Sequence, residues 1–571
     1  MQRRPPFSAL PIALPWAFAT ALAAAVLAGC GSNPTVTPVT PVAAAPVKVK
    51  IVAINDFHGN LLPPKGGIRI QDPAHPGHLI DAEAGGAAYL ATAVARLEAE
   101  NPNHIFVAAG DLIGASPLLS ALFHDEPTVE ALGLAGLEVS AVGNHEFDKG
   151  AAELLRMQHG GCSPVDGCKG PQPFAGARYK YLAASTIDLK TGHTLFPPYY
   201  VKTFQGIPIA FIGLTLKATP DMVVPSGVAG LRFEDEARTV NRLVPQLQAR
   251  GIQAIAVLIH QGGYQKDGPG DYDGCEGIDG PIVGLVKKFD PAVSIVISGH
   301  THRAYNCRID GRLVTSADKY GTLVTDIDVT LDPVTHRVLT SQAHNVIVSA
   351  AAFAADPRET ALIQSYVDRE GPLATRVVGR LGAALPRSTN AAGESPLGQV
   401  IADAQLEATR GAGAQIAFMN EGGIRAALPM PADGLVRYED VFTAQPFYNN
   451  LVTMTLTGAQ IERLLEQQWG HAESRVMMVS RGFSYTYDAA RPRGERVVPG
   501  SVRLDGRPLE PAANYRVTVN GFMASGGDSF SILRNGSQRV TGMLDVDALE
   551  QYIGRHPGLV PGPLDRITRL N

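Results

Sequence analysis

The chain has 571 residues, which is too many for a single hydrophobic core, so we expect two or more domains. Its composition, with 45% hydrophobic and 18% charged residues, is that of a globular protein and excludes a disordered chain. The formal net charge of −5 is spread without long runs of one sign, which excludes the basic groove that duplex DNA or RNA requires.

Residues 1–29 predict a signal peptide. Arg3 and Arg4 precede an apolar run, 13–27, that is broken by Pro15 and is short for a bilayer span. The order Leu-Ala-Gly-Cys then ends at Cys30 and resembles a bacterial lipobox. This resemblance implies cleavage before Cys30 and lipidation of that cysteine. The alternative is an ordinary signal peptide that is cut nearby.

Residues 30–46 are rich in Pro, Thr, Val and Ala and show neither a helical nor an alternating pattern. They predict an extended tether between the anchor and the folded domains. Gly31, rather than Asp, follows the cysteine, and by resemblance to enterobacterial lipoproteins this favours the outer membrane. We therefore expect an exported, periplasmic or cell-surface lipoprotein that touches the membrane only through its lipid.

The other four cysteines are expected to form disulfides, because an exported protein enters an oxidising compartment. Four cysteines allow three pairings. We favour Cys162 with Cys168, which closes a loop rich in Gly and Pro, and Cys275 with Cys307, which joins two loops. A zinc site is the alternative, but no Cys-x-x-Cys pair occurs in the sequence.

Strand-like and helical segments alternate from residue 47 to about residue 350, which predicts a layered α/β domain with sheets flanked by helices. Helices are predicted at 87–98 and 234–250. The predicted strands are 47–55, 104–109, 139–142, 207–215, 254–259, 294–298 and 323–331. The strands that precede polar motifs are nearly all apolar, which indicates burial on both faces.

Residues 351–375 predict a linker helix, and 376–571 predict a smaller mixed α/β domain. Ser395-Pro396 is a typical helix start, since serine caps the first turn and proline fits its first position. Further helices are predicted at 459–468 and 546–553. The predicted strands of this domain are 415–419, 451–456, 497–504 and 515–520.

Five polar motifs follow predicted strands of the first domain, where α/β proteins form their ligand crevice. They are Asn55-Asp56-Phe57-His58, Gly110-Asp111, Gly143-Asn144-His145-Glu146-Phe147-Asp148, His260-Gln261-Gly262-Gly263 and Gly299-His300-Thr301-His302. Each one alone is typical of a turn, a helix cap or a buried core histidine. Together they offer the carboxylate, amide and imidazole ligands that Zn²⁺, Mn²⁺ or another divalent ion takes.

In this order the motifs resemble those of the calcineurin-like dinuclear metallophosphatases, and more narrowly those of the bacterial 5′-nucleotidase/UDP-sugar hydrolase family. The resemblance extends from residue 49 to the C-terminus. It implies two divalent ions, and two ions about 3.5–4 Å apart can stabilise both the attacking and the leaving oxygen at phosphorus. The implied ligands are Asp56, His58 and His302 for one ion, Asn144, His260 and His300 for the other, and Asp111 as the bridge.

The resemblance also assigns a role to His145, which is not among the implied ligands. It implies that this histidine contacts the phosphoryl group, where it stabilises the transition state or assists the leaving oxygen. Asp148 would orient the imidazole and favour its charged form. The alternative is that Asp148 only caps the helix that follows.

The second domain carries the residues that would select the substrate. Asn420 and Arg425 lie in a loop that resembles the family sequence Asn-x-Gly-Gly-Ile-Arg, which implies a phosphate contact for Arg425 and a cleft position for Asn420. Phe447 and Phe522 match two aromatics that sandwich the nucleobase. Asp528 matches a residue that accepts hydrogen bonds from ribose hydroxyls.

One position departs from this pattern, because some relatives have Arg where Gln399 stands. An additional phosphate contact is therefore missing at that position. Arg387, in an upstream loop, is the candidate substitute.

We therefore expect a metal-dependent phosphoric monoester hydrolase, a 5′-nucleotidase that converts nucleoside 5′-monophosphates to nucleoside and phosphate in salvage outside the cytoplasm. The same ligands would serve a 2′,3′-cyclic-nucleotide phosphodiesterase with 3′-nucleotidase activity, or a UDP-sugar pyrophosphatase. The alternative from another functional class is a lipoprotein at the cell surface that binds a ligand without catalysis. It predicts lost ligands or a lost His145, whereas the sequence retains both.

Overall fold

The computed structural model describes residues 45–75, 77–470 and 476–571, and residues 45–571 form one compact unit. The expected signal peptide, the lipidation site Cys30 and nearly all of the tether lie outside the described residues. Among the helices that are described, none is both long and apolar enough to cross a membrane.

Two six-stranded sheets form the centre of the N-terminal domain. In spatial order the first contains Val338–Ile347, Leu323–Leu331, Val47–Ile54, His104–Ala108, Val139–Ala141 and Lys180–Leu182. The second contains Ala304–Ile309, Arg312–Ala317, Val293–Ser298, Ala254–Ile259, Ile207–Leu214 and Tyr199–Phe204. Several central neighbours run parallel in each sheet, so the carboxyl ends of those strands meet at one edge.

The two sheets pack face to face, and helices cover both outer faces. Ile51 and Val107 of the first sheet meet Phe211 and Leu258 of the second in one buried core. The helix Ala87–Glu98 covers the first sheet, and Glu236–Ala249 covers the second. These strands are buried on both faces, and this explains why their sequences are continuous apolar runs. Each large aliphatic side chain in such a core contributes about 1.5–3 kcal/mol relative to exposure.

The remaining elements of this domain are short helices and hairpins around the sheets. The other α-helices are Leu118–Ala121, Glu126–Leu134, Ala151–His159, Thr219–Met222 and Pro281–Val286, with 3₁₀ turns His145–Phe147 and Pro225–Val228. Small two-stranded sheets pair Ile68–Gln71 with Leu79–Ala82, Thr186–Asp188 with Leu231–Phe233, and Tyr264–Gln265 with Ile278–Asp279.

Two disulfides join the four cysteines of the described chain, and they are the pairs favoured from the sequence. Cys162 bonds Cys168 within a surface loop. Cys275 bonds Cys307, which is buried in the strand Ala304–Ile309 rather than placed in a loop. The second disulfide therefore holds the segment 264–280 against the edge strand of the second sheet.

A helix, Pro357–Glu370, and a short helix, Pro372–Thr375, lead from the first domain into the second. The side chain of Asp356 caps the longer helix by accepting hydrogen bonds from the backbone N–H groups of Arg358 and Glu359. The Tyr366 hydroxyl donates to Glu130 at 2.9 Å, so this helix is also held against the first domain.

The C-terminal domain contains a five-stranded and a four-stranded sheet. The five strands are, in spatial order, Met478–Val479, Ile416–Met419, Asn514–Asn520, Asn450–Thr457 and Ser537–Leu544. The four are Arg507–Pro508, Arg503–Leu504, Phe483–Asp488 and Ile567–Leu570, and Val377–Arg380 pairs separately with Leu435–Arg437. Its α-helices are Pro396–Ala408, Tyr438–Ala444, Gly458–Glu466, Gly521–Ala524 and Asp545–Arg555. Its 3₁₀ turns are Arg410–Ala412, Glu421–Gly423, Gln467–Trp469, Gly527–Ser529 and Ser531–Asn535.

This architecture confirms the expected two-domain α/β fold with layered sheets. One predicted strand, 497–504, is wrong for most of its length, because only Arg503–Leu504 is in a strand. Pro499 has no N–H to donate to a neighbouring strand, and Gly500 has a φ of +72°, so the chain turns there instead of pairing.

Candidate metal and substrate site

The seven side chains that were expected to bind metal lie together where strands of the two facing sheets end. Among the described residues, Asp and His side chains there form three groups in which the possible ligand atoms all lie within 4.8 Å of one another. The groups are Asp56, His58 and His302, then His58, Asp111 and His145, and finally Asp111, His260 and His300. His58 and Asp111 each belong to two of the groups, so the three groups form one continuous cluster.

The backbone at this site is in a conformation that most residues avoid. Five of the seven expected ligands have positive φ angles between 46° and 73°, and they are Asp56, His58, Asp111, His300 and His302. A non-glycine residue in this region costs on the order of 1–3 kcal/mol and persists where surrounding structure enforces it. Hydrogen bonds between the loops enforce it here, including Asp56 N–H to Gly110 O and His58 N–H to Asp111 O, both at 3.0 Å.

Interatomic distances divide the ligands into two sets around Asp111. On one side, His302 Nε2 lies 3.4 Å from Asp56 Oδ1 and 3.1 Å from His58 Nε2. On the other, His260 Nε2 lies 2.9 Å from Asp111 Oδ2. His58 Nε2 lies 3.7 Å from the same Asp111 oxygen. One carboxylate oxygen therefore stands between the two sets.

The unsatisfied atoms of the site fit a divalent cation. Asn144 Oδ1 is buried and has no hydrogen-bond partner among the described residues, and the buried His260 Nε2 faces the Asp111 carboxylate, at 2.9 Å. His58 Nδ1 donates to Gly114 O and His260 Nδ1 donates to Ala109 O, both at 2.8 Å. Because a carbonyl only accepts, each Nδ1 carries a hydrogen, and Nε2 is the nitrogen of each ring that faces the centre. This is the tautomer that metal-binding histidines use.

The electrostatic environment favours neutral imidazoles at three of the expected ligands, and at one of them, His300, burial lowers the pKa to about 4. Burial lowers the pKa of His58 well below its ordinary value, and the nearby Arg425 guanidinium adds to that effect. Burial also lowers the pKa of His302, with further contributions from Arg425 and Lys319. Since a metal ion binds only the deprotonated ring, these histidines are held in the form that can coordinate a metal ion.

His145 has a different environment from the expected ligands. Its Nδ1 lies 2.8 Å from Asp148 Oδ2, in hydrogen-bonding geometry. Burial by itself would lower the pKa of His145, but the carboxylates of Asp148 and Asp111 outweigh burial and raise it. The imidazolium form is therefore favoured, as the pairing with Asp148 predicted.

Glu146 has a structural role that the sequence did not indicate. Its buried carboxylate accepts hydrogen bonds from the backbone N–H groups of Asp111 at 3.0 Å, Leu112 at 2.7 Å and Gly143 at 2.6 Å. A Cβ atom on Gly143 would lie 2.1 Å from Asp111 Oδ1, so only glycine allows these two loops to approach. Glu146 thereby ties the loop of Asp111 to the loop of Asn144.

A cavity of about 400 Å³ lies next to the cluster, between the two domains. The first domain contributes Asn144, His145, Asp148 and His300 to its wall. The second contributes every residue that was expected to contact substrate, namely Asn420, Arg425, Phe447, Phe522 and Asp528. The ring of Phe447 stacks against that of His145, with centroids 5.9 Å apart.

Two arginines lie at the junction of the metal cluster and this cavity. Arg425 Nε and Nη2 are buried and have no hydrogen-bond partner among the described residues. Arg387 Nη1 donates to the backbone carbonyl of Arg425 at 2.7 Å, and Arg387 lines the same cavity. Gln399 is buried elsewhere, and its amide donates to Glu394 at 2.8 Å. Arg387, and not Gln399, is therefore placed to meet an anion beside Arg425.

A hydrogen-bonded chain fixes the polar end of the cavity. Asn420 Nδ2 donates to Asp528 Oδ2 at 2.8 Å, and Asn520 Nδ2 donates to Asn420 Oδ1 at 2.9 Å. Asn520 in turn caps the short helix that carries Phe522, because its side chain accepts from the N–H of Met523. Asn520 is a residue that the sequence analysis missed, and its place two residues before Phe522 was the available signal.

Several other residues line this cavity, and no pattern in the sequence indicated them. Met222, Val223 and Val224 of the first domain reach the same cavity as Phe522. The helix Thr219–Met222, which ends directly before Val223, lies against the turn Gly527–Ser529 of the second domain. Lys149 and Tyr448 also line the cavity, next to residues that were recognised. These positions depend on how the two domains pack.

Two facing sheets with a histidine–carboxylate cluster at their strand ends define a metal-dependent phosphoesterase. Residues 49–304 match the family model described as "Calcineurin-like phosphoesterase". Residues 374–535 match the one described as "5′-nucleotidase, C-terminal domain". The chain belongs to the calcineurin-like phosphoesterases that carry a 5′-nucleotidase C-terminal domain, as its motifs predicted.

Individual relatives agree with this family. Endonuclease YhcR of Bacillus subtilis is 31% identical over 509 residues, which cover 89% of this chain but only 40% of that relative's length. A 5′-nucleotidase of Vibrio vulnificus is 24% identical over 583 residues, 94% of this chain and 96% of its own length. A solved 5′-nucleotidase precursor from Thermus thermophilus superposes with a TM-score of 0.75 at 27% identity, covering 92% of this chain and 100% of the other.

Proposed function

We propose that this protein hydrolyses nucleoside 5′-monophosphates to nucleoside and phosphate. One observation carries the proposal. A single cavity has the histidine–carboxylate cluster on one wall and Arg425, Phe447 and Phe522 on another. A phosphate at the cluster would therefore place its nucleoside between groups suited to a base and a ribose. The family membership supports a hydrolase that acts on phosphate monoesters.

The seven clustered residues are proposed to hold two divalent ions, zinc or manganese. Asp56, His58 and His302 would hold one, and Asn144, His260 and His300 the other, with Asp111 shared. When bound, such ions activate water for attack on phosphorus and offset negative charge on the phosphoryl oxygens. The orphaned oxygen of Asn144, and the 2.9 Å distance between His260 Nε2 and Asp111 Oδ2, support this assignment.

His145 is proposed to donate a hydrogen bond to the phosphoryl group or to the departing O5′ oxygen. The hydrogen bond to Asp148 holds Nδ1, so Nε2 is the atom left to face the substrate. The raised pKa of His145 keeps a proton available on that atom. Arg425 and Arg387 would pair with phosphate oxygens, since a guanidinium offers several donors in one plane.

Recognition of the nucleoside is proposed to come from the second domain. Phe447 and Phe522 would stack on the base, which any base permits because each has a π-face. Asp528 would accept hydrogen bonds from ribose hydroxyls, while Asn420 holds the Asp528 carboxylate in place through its amide. This arrangement supports a broad range of bases.

We also propose that the boundaries at residues 47–350, 351–375 and 376–571 separate a catalytic domain, a linker and a substrate domain. Export by the residue 1–29 signal and lipidation at Cys30 remain part of the proposal, with the outer membrane favoured. The substrate would then be extracytoplasmic nucleotide.

A phosphate-release panel tests the proposed activity. Purified protein reconstituted with Zn²⁺ or Mn²⁺ is assayed with AMP, 2′,3′-cyclic AMP and UDP-glucose. We expect AMP to react with the largest kcat/KM. A preference for the cyclic nucleotide or for UDP-glucose would replace the 5′-nucleotidase assignment with one of the two alternatives. Metal analysis should give about two ions per chain.

A further inference from the structure

A second cavity of about 510 Å³ lies between the domains, on the other side of the two arginines. It shares Ala115, Arg387 and Arg425 with the first cavity, so the two spaces meet at these residues. Ala115 has a φ of +49°, an unusual conformation for alanine, at the point where the cavities join.

Tyr320 stands between the second cavity and the metal cluster. Tyr320 lines that cavity, and the edge of this ring lies against His58 and His302, with centroids 5.9 and 5.7 Å apart. The first cavity instead reaches the cluster at Asn144 and His300. A phosphorus atom held beside Arg387 and Arg425, where the two cavities meet, would therefore have one cavity on each side of it.

The walls of the second cavity are mostly apolar. Its lining includes Leu61, Leu62, Pro64, Leu118, Leu119 and Ala427. Two cations, Arg387 and Arg425, stand at the shared end, and Lys319 also lines the cavity. At another part of the lining, Lys65 is neutralised by Asp440 and by Glu439, whose Oε1 lies 3.7 Å from Lys65 Nζ. The cavity thus offers positive charge next to the phosphate position and apolar surface beyond it.

We infer that the second cavity receives a second ester group on the attacked phosphorus, and that this group is apolar, such as an aryl or alkyl chain. The inference rests on the proposed function, because the nucleoside must occupy the first cavity. A nucleoside monophosphate carries a single ester group on phosphorus, which is its nucleoside, and therefore leaves the second cavity empty. The protein is therefore also a phosphodiesterase for nucleoside 5′-phosphates esterified with an apolar alcohol.

This arrangement fixes which bond breaks. With the nucleoside in the first cavity, the O5′ oxygen is the atom beside His145, and the apolar ester is a spectator in the second cavity. Water adds its oxygen to phosphorus, the phosphorus–O5′ bond breaks, and O5′ leaves with a proton. The products are the nucleoside and the aryl or alkyl phosphate, and no oxidant or further reactant is needed.

Product analysis tests the inference directly. The metal-loaded protein is incubated with thymidine 5′-(4-nitrophenyl phosphate) and, separately, with thymidine 5′-monophosphate. Chromatography of early time points should show thymidine and 4-nitrophenyl phosphate as the first products of the diester. First release of 4-nitrophenol with thymidine monophosphate would overturn the inference, as would an unreacted diester beside a hydrolysed monoester. If neither compound reacts, the proposed function itself fails, and the inference with it.

A filled cavity provides the second test. Ala427→Trp would place an indole in the second cavity from an exposed loop position. We expect kcat/KM for the diester to fall at least tenfold, while kcat/KM for the monoester stays within twofold. Leu62→Trp, at a side chain that is 53% exposed, should act in the same direction if Ala427→Trp does not fold.

Val334→Trp is the matched control, because Val334 is 79% exposed and does not line either cavity. It should change neither rate constant. An equal loss for both substrates in Ala427→Trp and Leu62→Trp, or no loss for the diester, would show that the second cavity does not bind the ester group.

Discussion

The carboxylate of Glu146 accepts a hydrogen bond from the backbone N–H of Asp111 at 3.0 Å. The two residues belong to different loops, and the same carboxylate also binds the N–H of Gly143, which precedes Asn144. The proposed bridging ligand, Asp111, and a proposed ligand of the second set, Asn144, are therefore positioned by one side chain. Glu146 is not itself expected to contact either ion.

Glu146→Gln is expected to weaken metal binding. In glutamine an NH₂ group replaces one of the two carboxylate oxygens. This group cannot accept a hydrogen bond from the backbone N–H that faces it, so the two loops must separate slightly. Loss of such a supporting partner typically costs 10–100-fold in metal affinity. Calorimetric titration of metal-free protein with Zn²⁺ or Mn²⁺ measures the change. Glu495→Gln, at an exposed position, serves as the control, and an affinity equal to wild type in Glu146→Gln would refute the positioning role.

His145→Ala is expected to separate catalysis from metal binding. Proton donors of this kind typically contribute 10²–10⁴-fold, so kcat for AMP should fall by at least about 100-fold. Metal content should remain at the wild-type value, because His145 is paired with Asp148 and is not needed as a ligand. Elemental analysis beside steady-state kinetics checks both. Loss of an ion from this variant would show that His145 is a ligand, which its place in one ligand group allows.

Phe522→Ala is expected to reduce base recognition while the phosphate chemistry remains. Removal of one stacking aromatic costs about 1–3 kcal/mol per base, which is about a 5- to 150-fold fall in kcat/KM for AMP. Ribose 5-phosphate has no base, so its hydrolysis should be unchanged within twofold. Because Phe522 also packs against the core of the second domain, Phe522→Leu is measured in parallel to preserve that contact. An equal loss for both substrates would contradict base stacking.

Glu359→Gln is expected to change the pH dependence of stability. Glu359 is fully buried, and both of its carboxylate oxygens have no hydrogen-bond partner among the described residues. Burial, together with the charge of Asp356, raises the pKa of Glu359 from 4.5 to about 8. Folding therefore favours the protonated form of Glu359. The contribution of this residue to the free energy of unfolding is complete below pH 4.5 and is lost as the pH rises towards 8.

The glutamine variant keeps a neutral side chain at every pH. Its Tm should therefore fall less than that of wild type between about pH 5 and pH 9, and at about pH 9 it should exceed the wild-type value. Thermal unfolding at a series of pH values, at constant metal concentration, measures this. Parallel Tm curves for the two proteins would mean that Glu359 does not titrate in this range.

Central strands could be predicted because complete burial leaves a signature in the residues themselves. Ala254–Ile259 is entirely apolar and entirely buried, and its predicted bounds match those of the structure. Edge strands leave a weaker signature. Val338–Ile347 exposes many of its residues and is a strand because Leu323–Leu331 offers it hydrogen bonds, so the sequence analysis missed it. Ala304–Ile309 and its partner Arg312–Ala317 were also missed, although only one residue of the first strand is exposed and the second is entirely buried.

The chemistry of the metal site was readable from the chain because ligand type and strand position are local properties. Asp56, Asp111 and His260 each follow an apolar strand, and that is visible without coordinates. The distances between these ligands depend on contacts between distant parts of the chain. The same is true of the tautomers of His260 and His58, which the backbone carbonyls of Ala109 and Gly114 impose.

By itself, then, the sequence determined the family, the layered α/β fold and the kinds of side chain that meet at the site. Only the tertiary structure decided that Arg387 rather than Gln399 lies beside Arg425, and that a second cavity opens behind both arginines. The physical reason is that a cavity between two domains is the space that remains after their surfaces pack. Its shape depends on contacts between residues far apart in the chain, and no short stretch of sequence records those contacts.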